Sequence, residues 1–365
     1  MAIFTDVFED VTKQGRKIPT SDYHGTGVHP IIDQGQSAIA GYTDETDGLF
    51  TDVPAIIFGD HTRVLKYVDT PCFLGADGVK LLKTKIANPN YKYLYYVLSN
   101  ANIPNTGYNR HFKWLKEVNI PLPNVDEQQK IVDTLDKIGE LITLRKEQLA
   151  KLDQLVKSRF IELFGNTRDN EKDWSMVSLK SVAEVRGRVG WKGYKKEDLR
   201  ESGPLVLGAT HLTESGCIDL SAPVYLSREK YEESPEIMLQ KNDLIFTQRG
   251  NTIGKVGLVE DDIGEATINP CVLILRPLAI NPIYFKTYFI MNETKSDMWS
   301  LNAGSAQPMI TQKGIGEYML MLPPIELQNQ FAAFVKQTDK SKLAIQQSLD
   351  KLELLKKSLM QEYFG

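Results

Sequence analysis

Two tetrapeptides come nearest to reaction chemistry: Asn88-Pro89-Asn90-Tyr91 and Asn281-Pro282-Ile283-Tyr284. An Asn-Pro-Pro-aromatic run grips an exocyclic amine with the Asn side chain and a backbone carbonyl, and stacks its ring on a flipped base. Both copies lack the second proline, and no Gly-rich cofactor loop follows a strand upstream. Asn before Pro is also an ordinary helix start, with Asn as cap and Pro at the first position. That reading accounts for Asn88 and Asn281 without a reaction. Gly254-Lys255 lacks the glycine spacing of a phosphate-binding loop and is followed by Val256. His24, His29, His61, His111 and His211 have no HxH, HExxH or Cys partner at ligand spacing. Cys72, Cys217 and Cys271 are odd in number and far apart, which fits neither a disulfide framework nor a metal pair. No Ser-His-Asp set and no nuclease PD…(D/E)xK pattern can be assembled. A catalytic inventory this thin points to a binding role.

Charge supplies binding chemistry. From Lys180 to Arg200 there are seven basic residues (Lys180, Arg186, Arg188, Lys192, Lys195, Lys196, Arg200) against three acidic ones (Glu184, Glu197, Asp198). Gly107 to Lys116 holds Arg110, Lys113, Lys116 and His111 with no acid. Such runs are ordinarily solvated faces, but they are also what a phosphate backbone needs. The whole chain carries a net charge of −4 over 365 residues, so any affinity for nucleic acid must be local. With 42% hydrophobic and 25% charged residues the composition is that of a soluble globular protein. No run approaches the roughly 20 apolar residues of a membrane helix. The start, MAIFTDVFED, is acidic and unlike a signal peptide. A reducing, cytoplasmic setting is expected, with no membrane partner.

The elements that position these residues are organised by a repeat. Shifted by 200 residues, Leu122 to Gly165 lies over Leu322 to Gly365 without a gap. Identities include Leu122/Leu322, Pro123/Pro323, Gln128/Gln328, Leu152/Leu352, Lys157/Lys357, Phe164/Phe364 and Gly165/Gly365. Weaker echoes run upstream: FTDVFEDV with LKSVAEVR, Ile57-Phe58 with Ile245-Phe246, Pro71-Cys72 with Pro270-Cys271, and the two NPxY runs. The plan is a variable domain (1–121), a helical segment (122–165), a linker (166–173), a second variable domain (174–321) and a second helical segment (322–365). Ile131, Leu135, Ile138, Ile142, Leu149 and Leu152 follow steps of four and three, interrupted by Arg145; Phe331, Val335, Ile345, Leu349, Leu352 and Leu359 keep the pattern more loosely, with Thr338, Lys342 and Lys356 falling on the seam. These seams predict two long helices packed on each other as an antiparallel coiled coil, with Gly139 a place where the first could break. In the variable domains β-prone runs (VPAIIFG, LKYV, DLIFT, VGLV, CVLIL) alternate with turn signals. The expected fold class is α+β with a pseudo-two-fold internal repeat.

This plan, with LP…EQQKIV after one variable domain and LKKSLMQEYFG at the end, resembles the specificity subunits of Type I restriction-modification systems. The resemblance covers the whole chain. The helix-start motif is clear at Leu122, Pro123, Glu127, Gln128 and Gln129, while Leu327 and Asn329 depart from it in the second copy. The resemblance implies a noncatalytic subunit in which each variable domain is a target-recognition domain reading half of a split, asymmetric site in double-stranded DNA. It implies that the helices set the distance between the halves. It also implies docking of two modification (methyltransferase) subunits that bind S-adenosylmethionine and methylate adenine. Two restriction subunits using ATP and Mg can join them, and the chain itself binds no cofactor. A stand-alone methyltransferase or nuclease with unrecognised motifs is the alternative. Phosphate contacts need Lys or Arg, and base contacts favour Arg, Lys, Asn, Gln, Ser and Thr. The DNA contacts expected are Lys13, Arg16, Lys17, Gln34, Gln36, Arg63, Asn109, Arg110 and Lys113 in the first domain. In the second they are Arg186, Arg188, Lys192, Tyr194, Lys195, Lys196, Gln248, Arg249, Asn251, Ser305 and Gln307.

Overall fold

The computed structural model describes residues 1–75, 77–188, 193–301 and 309–365. They form two compact units: 1–146 with 347–365, and 147–346. In the first unit β1 (Ala2–Ile3), α1 (Phe4–Val7) and β2 (Phe8–Asp10) open the chain. Then come β3 (His29–Ile32), β4 (Gly41–Thr43), β5 (Ala55–Gly59), β6 (Leu65–Val68), β7 (Phe73–Leu74) and β8 (Val79–Thr84). Next are α2 (Tyr91–Ser99), α3 (Phe112–Leu115), β9 (Asn119–Ile120) and the long α4 (Val125–Phe164), whose residues from 147 on belong to the second unit. One sheet has the order β2-β8-β5-β6, another β4-β3-β7, and β1 pairs with β9. The first is antiparallel throughout, with Ile57 opposite Leu81 and Lys66; in the second, β3 runs parallel to β7.

The second unit repeats this strand by strand and adds two helices (Arg228–Glu232 and Asn292–Ser300). It runs β10 (Ser175–Ser178), α5 (Leu179–Val182), β11 (Ala183–Arg186), β12 (Leu199–Leu207), β13 (Tyr225–Leu226), α6 (Arg228–Glu232), β14 (Leu244–Thr247) and β15 (Val256–Leu258). It continues with β16 (Ala266–Ile268), β17 (Val272–Pro277), α7 (Pro282–Ile290), α8 (Asn292–Ser300), α9 (Gln312–Gly316), β18 (Met319–Leu322) and α10 (Ile325–Phe364), whose residues from 347 on belong to the first unit. The sheet orders are β11-β17-β14-β15, β13-β12-β16 and β10-β18. Each strand of the first unit thus has a counterpart nine strands later. The runs read as strands from β-branched and aromatic content are strands. The FTDVFEDV and LKSVAEVR echo is also structural: both give one helical turn and then a strand, and the turns begin with Phe4 N donating to Val118 O and Leu179 N to Tyr318 O.

Two sequence echoes do not hold. Cys72 leads into β7, while Cys271 follows β16, the counterpart of β7, so the Pro-Cys pairs are not equivalent. The cap of α2 is Asn90, whose side chain accepts from Tyr93 N; Asn88 lies outside the helix at φ +50°. Pro89 therefore precedes the cap in the first unit, whereas Asn281 caps α7 with Pro282 at its first position. The true match is Asn90 with Asn281 and Tyr93 with Tyr284. Tyr93 Oη donates to Pro121 O and Tyr284 Oη to Met321 O, both at 2.9 Å. Asn90 Nδ2 reaches Gln129 Oε1 and Asn281 Nδ2 reaches Asn329 Oδ1.

The long helices begin alike. Gln128 Nε2 donates to Pro123 O at 2.9 Å and Gln328 Nε2 to Pro323 O at 2.7 Å, which gives the shared Pro-x4-Gln spacing a structural cause. They end alike too, with Gly165 N and Gly365 N donating to the carbonyls of Ile161 and Gln361. Gly139 does not break α4, which is continuous over 40 residues. One mid-helix Gly costs only about 1 kcal/mol against Ala, less than the packing around it supplies. Within the first unit the helix segments run antiparallel: Lys356 Nζ lies beside Gly139, and Lys146 pairs with Glu353. Ile131, Leu135 and Ile138 are buried there, as is Leu349, while Ile142, Leu352 and Leu359 are half-buried. In the second unit Asp153 pairs with Lys342, and Phe160 packs on Phe331 at 5.6 Å, again antiparallel. Phe331 and Val335 are buried there, and Leu149, Leu152 and Ile345 half-buried.

Candidate nucleic-acid interface

The variable chemistry of both units collects where the β5–β6 and β14–β15 turns meet neighbouring loops, and two backbone bonds frame the place identically. Asp60 N donates to Gly78 O and Gln248 N to Cys271 O; His111 N donates to Asp60 O and Ile310 N to Gln248 O. Asp60 is thereby the counterpart of Gln248, and His111 of Ile310. The frame is common and the side chains on it differ.

In the first unit the corner is tied by side chains. Asp60, 3% exposed, accepts Phe112 N at 2.7 Å, and fully buried His111 donates from Nδ1 to Asp60 O at 2.9 Å. This leaves His111 Nε2 as the acceptor for Thr106 N at 3.4 Å. Gln34 joins three loops: its Nε2 donates to Asp77 O, its Oε1 accepts His61 N and its carbonyl accepts the Thr62 hydroxyl. Beside it, burial lowers the pKa of Lys66 although Asp33 lies at 3.4 Å. Arg63 holds the β5–β6 turn at φ +62° and donates to Ile103 O at 3.1 Å. Arg16 binds Glu45 at 2.9 Å and the carbonyl of Asp47, and Lys17 is 3.9 Å from Asp77. Lys13, Gln36, Asn109, Arg110 and Lys113 are exposed. Asn109 folds back onto Thr106 O, and Lys113 sits 4.7 Å over the Trp114 ring.

In the second unit Arg188, Gln248 and Arg249 line one open cleft of about 580 Å³, together with Gly193, Pro270, Met309, Gln312 and Lys313. Gln248 Nε2 donates to Pro270 O, and Arg249 lies 3.1 Å from the Met309 sulfur. Arg188 donates to Ile268 O at 3.2 Å and lies 5.9 Å over the Tyr194 ring; burial lowers its pKa and raises that of Tyr194. Arg186 is held by Glu184. Lys195, 3.5 Å from Glu197, is exposed, as are Lys196 and Asn251. Lys192, Ser305 and Gln307 lie outside the described residues. Arg188, Gln248 and Arg249 are therefore brought together in one cleft, although Arg188 and Gln248 also carry internal bonds, as Arg16, Gln34, Arg63 and Arg186 do. Sequence reasoning missed Asp60 and Tyr108, and it weighed His61 only as a metal ligand and His111 only as a metal ligand and as part of a basic run. Cations and amides are the residue types expected at DNA, so an acid and an aromatic escape notice. The one available signal was an aromatic inside the loop Asn105-Thr106-Gly107-Tyr108-Asn109.

Among the described residues no group of three His, Cys, Asp or Glu could hold a metal ion. No helix there is long and apolar enough to cross a membrane.

Residues 4–154 and 171–355 match the family described as Type I restriction modification DNA specificity domain. The EcoR124I/EcoR124II specificity subunit of Escherichia coli is 25% identical over 72% of this chain and 64% of its own length. The MjaVIII specificity subunit of Methanocaldococcus jannaschii is 24% identical over 68% of this chain and 61% of its own length. The chain thus spans 61–64% of the length of these two relatives. A crystal structure of the S subunit of a Type I restriction-modification system from M. genitalium is similar over 100% of this chain and 95% of its own, with TM-score 0.60 and 17% identity. A chain from a structural study of type I system assembly and conformational transition is similar over 99% and 95%, with TM-score 0.54 and 17% identity. At these identities the likeness is one of fold. With these two matched stretches covering most of the chain, the chain belongs to the Type I restriction modification DNA specificity domain family.

Proposed function

We propose that the chain reads two separate parts of a double-stranded DNA site, one with each unit, and performs no reaction itself. One observation carries the reading: a single strand topology occurs twice, with the same backbone frame at its turn and different side chains on it. Two alike readers with different contacts suit a split, asymmetric sequence, where a symmetric homodimer would suit a palindrome. On this reading the exposed Lys13, Gln36, Asn109, Arg110 and Lys113 meet one half, and Arg249, Asn251, Lys195 and Lys196 the other. Arg186 and Arg188 shape the second site from within.

The repeated helices set the distance between the halves and carry the partners. Two alike units present alike surfaces to two copies of one modification subunit, which brings S-adenosylmethionine and methylates adenine. The equivalent Leu155 and Leu355, each exposed on a helix segment of its unit, support this. Two restriction subunits with ATP and Mg join the same assembly in the cytoplasm. Co-expression with the neighbouring methyltransferase gene, followed by mapping of methylated adenines, tests the proposal. Methylation at a two-part motif is expected. Methylation by the partner alone at the same motif, or methyl transfer by the pure chain, overturns it.

A further inference from the structure

We propose that Tyr108 is a base-stacking wedge: its ring, laid flat on His61, offers its free face to a nucleobase of the first half-site. This rests on the DNA-reading role of the unit.

The Tyr108 side chain is 87% exposed, yet it is placed. Its ring lies 4.7 Å from the His61 ring with 8° between the planes, a parallel stack with one face covered and one open. His61 is itself held. Its backbone N–H donates to Gln34 Oε1, and Gly78, at φ +84°, leaves room for the ring, since a Cβ there would stand 2.8 Å from His61 Cδ2. His61 Nδ1 is buried and makes no hydrogen bond, a placement that costs stability and brings no packing advantage over an apolar ring. The loop that carries Tyr108 is anchored at its far end by His111 on Asp60.

The surroundings fix the ligand class. From Pro104 to Lys116 the sequence holds Arg110, Lys113 and Lys116 and no Asp or Glu, so a polyanion is admitted. An exposed aromatic with one face covered by His61, in a segment carrying three cations, suits a flat π surface attached to phosphates, which is a nucleobase. Stacking of this kind is tolerant of sequence, because every base has a π face. Tyr108 therefore adds affinity and local unstacking at one base step, while neighbouring polar groups supply identity.

The test uses the full chain assembled with its methyltransferase subunit and a duplex library carrying 40 random base pairs. The wild-type complex enriches a two-part motif. On the enriched duplex, Tyr108→Ala weakens binding roughly tenfold, while Tyr108→Phe and Tyr108→Trp keep wild-type affinity. 2-Aminopurine placed along the first half-site changes its emission at one position with wild type and with Tyr108→Phe, and not with Tyr108→Ala. Equal affinity and an equal emission change for Tyr108→Ala overturn the wedge and leave the DNA-reading role standing. Tyr108→Phe as weak as Tyr108→Ala overturns it too, by assigning the contact to the hydroxyl. No enrichment by the wild-type complex instead overturns the DNA-reading role, and the wedge with it.

Discussion

The two units share a strand plan but differ in how the long helices are seated. In the second unit Phe160, Phe164 and Phe331 are all fully buried around Tyr284, with ring centroids 4.8–5.6 Å apart. At the equivalent places the first unit has Met360, Phe364 and Ile131 around Tyr93. Met360 and Phe364 are only half-buried, and the ring that meets Tyr93 is Phe364, at 5.7 Å. The same tyrosine hydrogen bond and the same cap recur in both. Polar geometry therefore defines the junction, and apolar volume sets how firmly it closes.

The largest effect should come from that volume. Phe160→Ala removes a fully buried ring and should cost about 3–5 kcal/mol, whereas Met360→Ala, at a half-exposed site, should cost about 1 kcal/mol. Urea unfolding monitored by tryptophan fluorescence gives both values. Equal losses would mean that the two junctions close equally well.

The corners differ in the opposite sense. Asp60 is buried and accepts a backbone N–H, so Asp60→Ala leaves Phe112 N unpaired and should cost about 1–3 kcal/mol. Gln248→Ala loses one bond at a half-exposed site, for less than about 1 kcal/mol. In the assembled complex Asp60→Ala should relax readout of one half-site and leave the other unchanged, as sequencing of selected duplexes would reveal. Relaxation of both halves would contradict one reader per unit.

Much of this was legible in the sequence, for physical reasons. The 200-residue repeat, the helix seams and the strands rest on apolar periodicity and on Pro and Gly at element ends, which are local. Register in the NPxY runs was not legible: Asn88 and Asn90 are both good caps by type, and only the hydrogen bonds of Tyr93 and Tyr284 decide between them. Gly139 illustrates packing overriding propensity. The corner chemistry stayed hidden because Asp60, Gly78 and His111 meet only in the folded unit. The internal carbonyl and carboxylate partners of Arg16 and Arg63 were not legible either, because they lie on other chain segments.

The paired tyrosines sharpen the comparison at alkaline pH. Burial pushes Tyr93 up to about 12 and Tyr284 well above its ordinary value near 10. A raised folded-state value means that the folded protein keeps the proton longer than the unfolded chain. The stabilisation is whole below about pH 10. It falls as pH rises from there, through about 12 for Tyr93 and further for Tyr284. Urea midpoints at pH 9 and pH 11 should therefore drop, and Tyr93→Phe or Tyr284→Phe should each flatten the drop. At pH 7 each substitution should cost about 0.5–1.5 kcal/mol for the lost hydrogen bond. A drop of undiminished slope in both variants would place the alkaline sensitivity elsewhere.

The smallest contrast concerns the ion pairs between the helices. Lys146–Glu353 in the first unit spans 2.9 Å with side chains 59% and 48% exposed. Lys342 in the second is 23% exposed, lies 2.6 Å from Asp153 and 3.3 Å from Asp339, and sits on the apolar seam. Burial alone would lower the Lys342 pKa, but the two carboxylates prevail and raise it. Water screens the first pair far more than the second. A double-mutant cycle should give about 0.3 kcal/mol for Lys146–Glu353 and about 1 kcal/mol for Asp153–Lys342. Raising NaCl from 0.1 to 1 M shortens the screening length from about 10 to about 3 Å. It should erase the first coupling and leave part of the second. A coupling at Lys146–Glu353 equal to that at Asp153–Lys342 would show that the seam does not shield Lys342, and that its carboxylates hold it no better than solvent would.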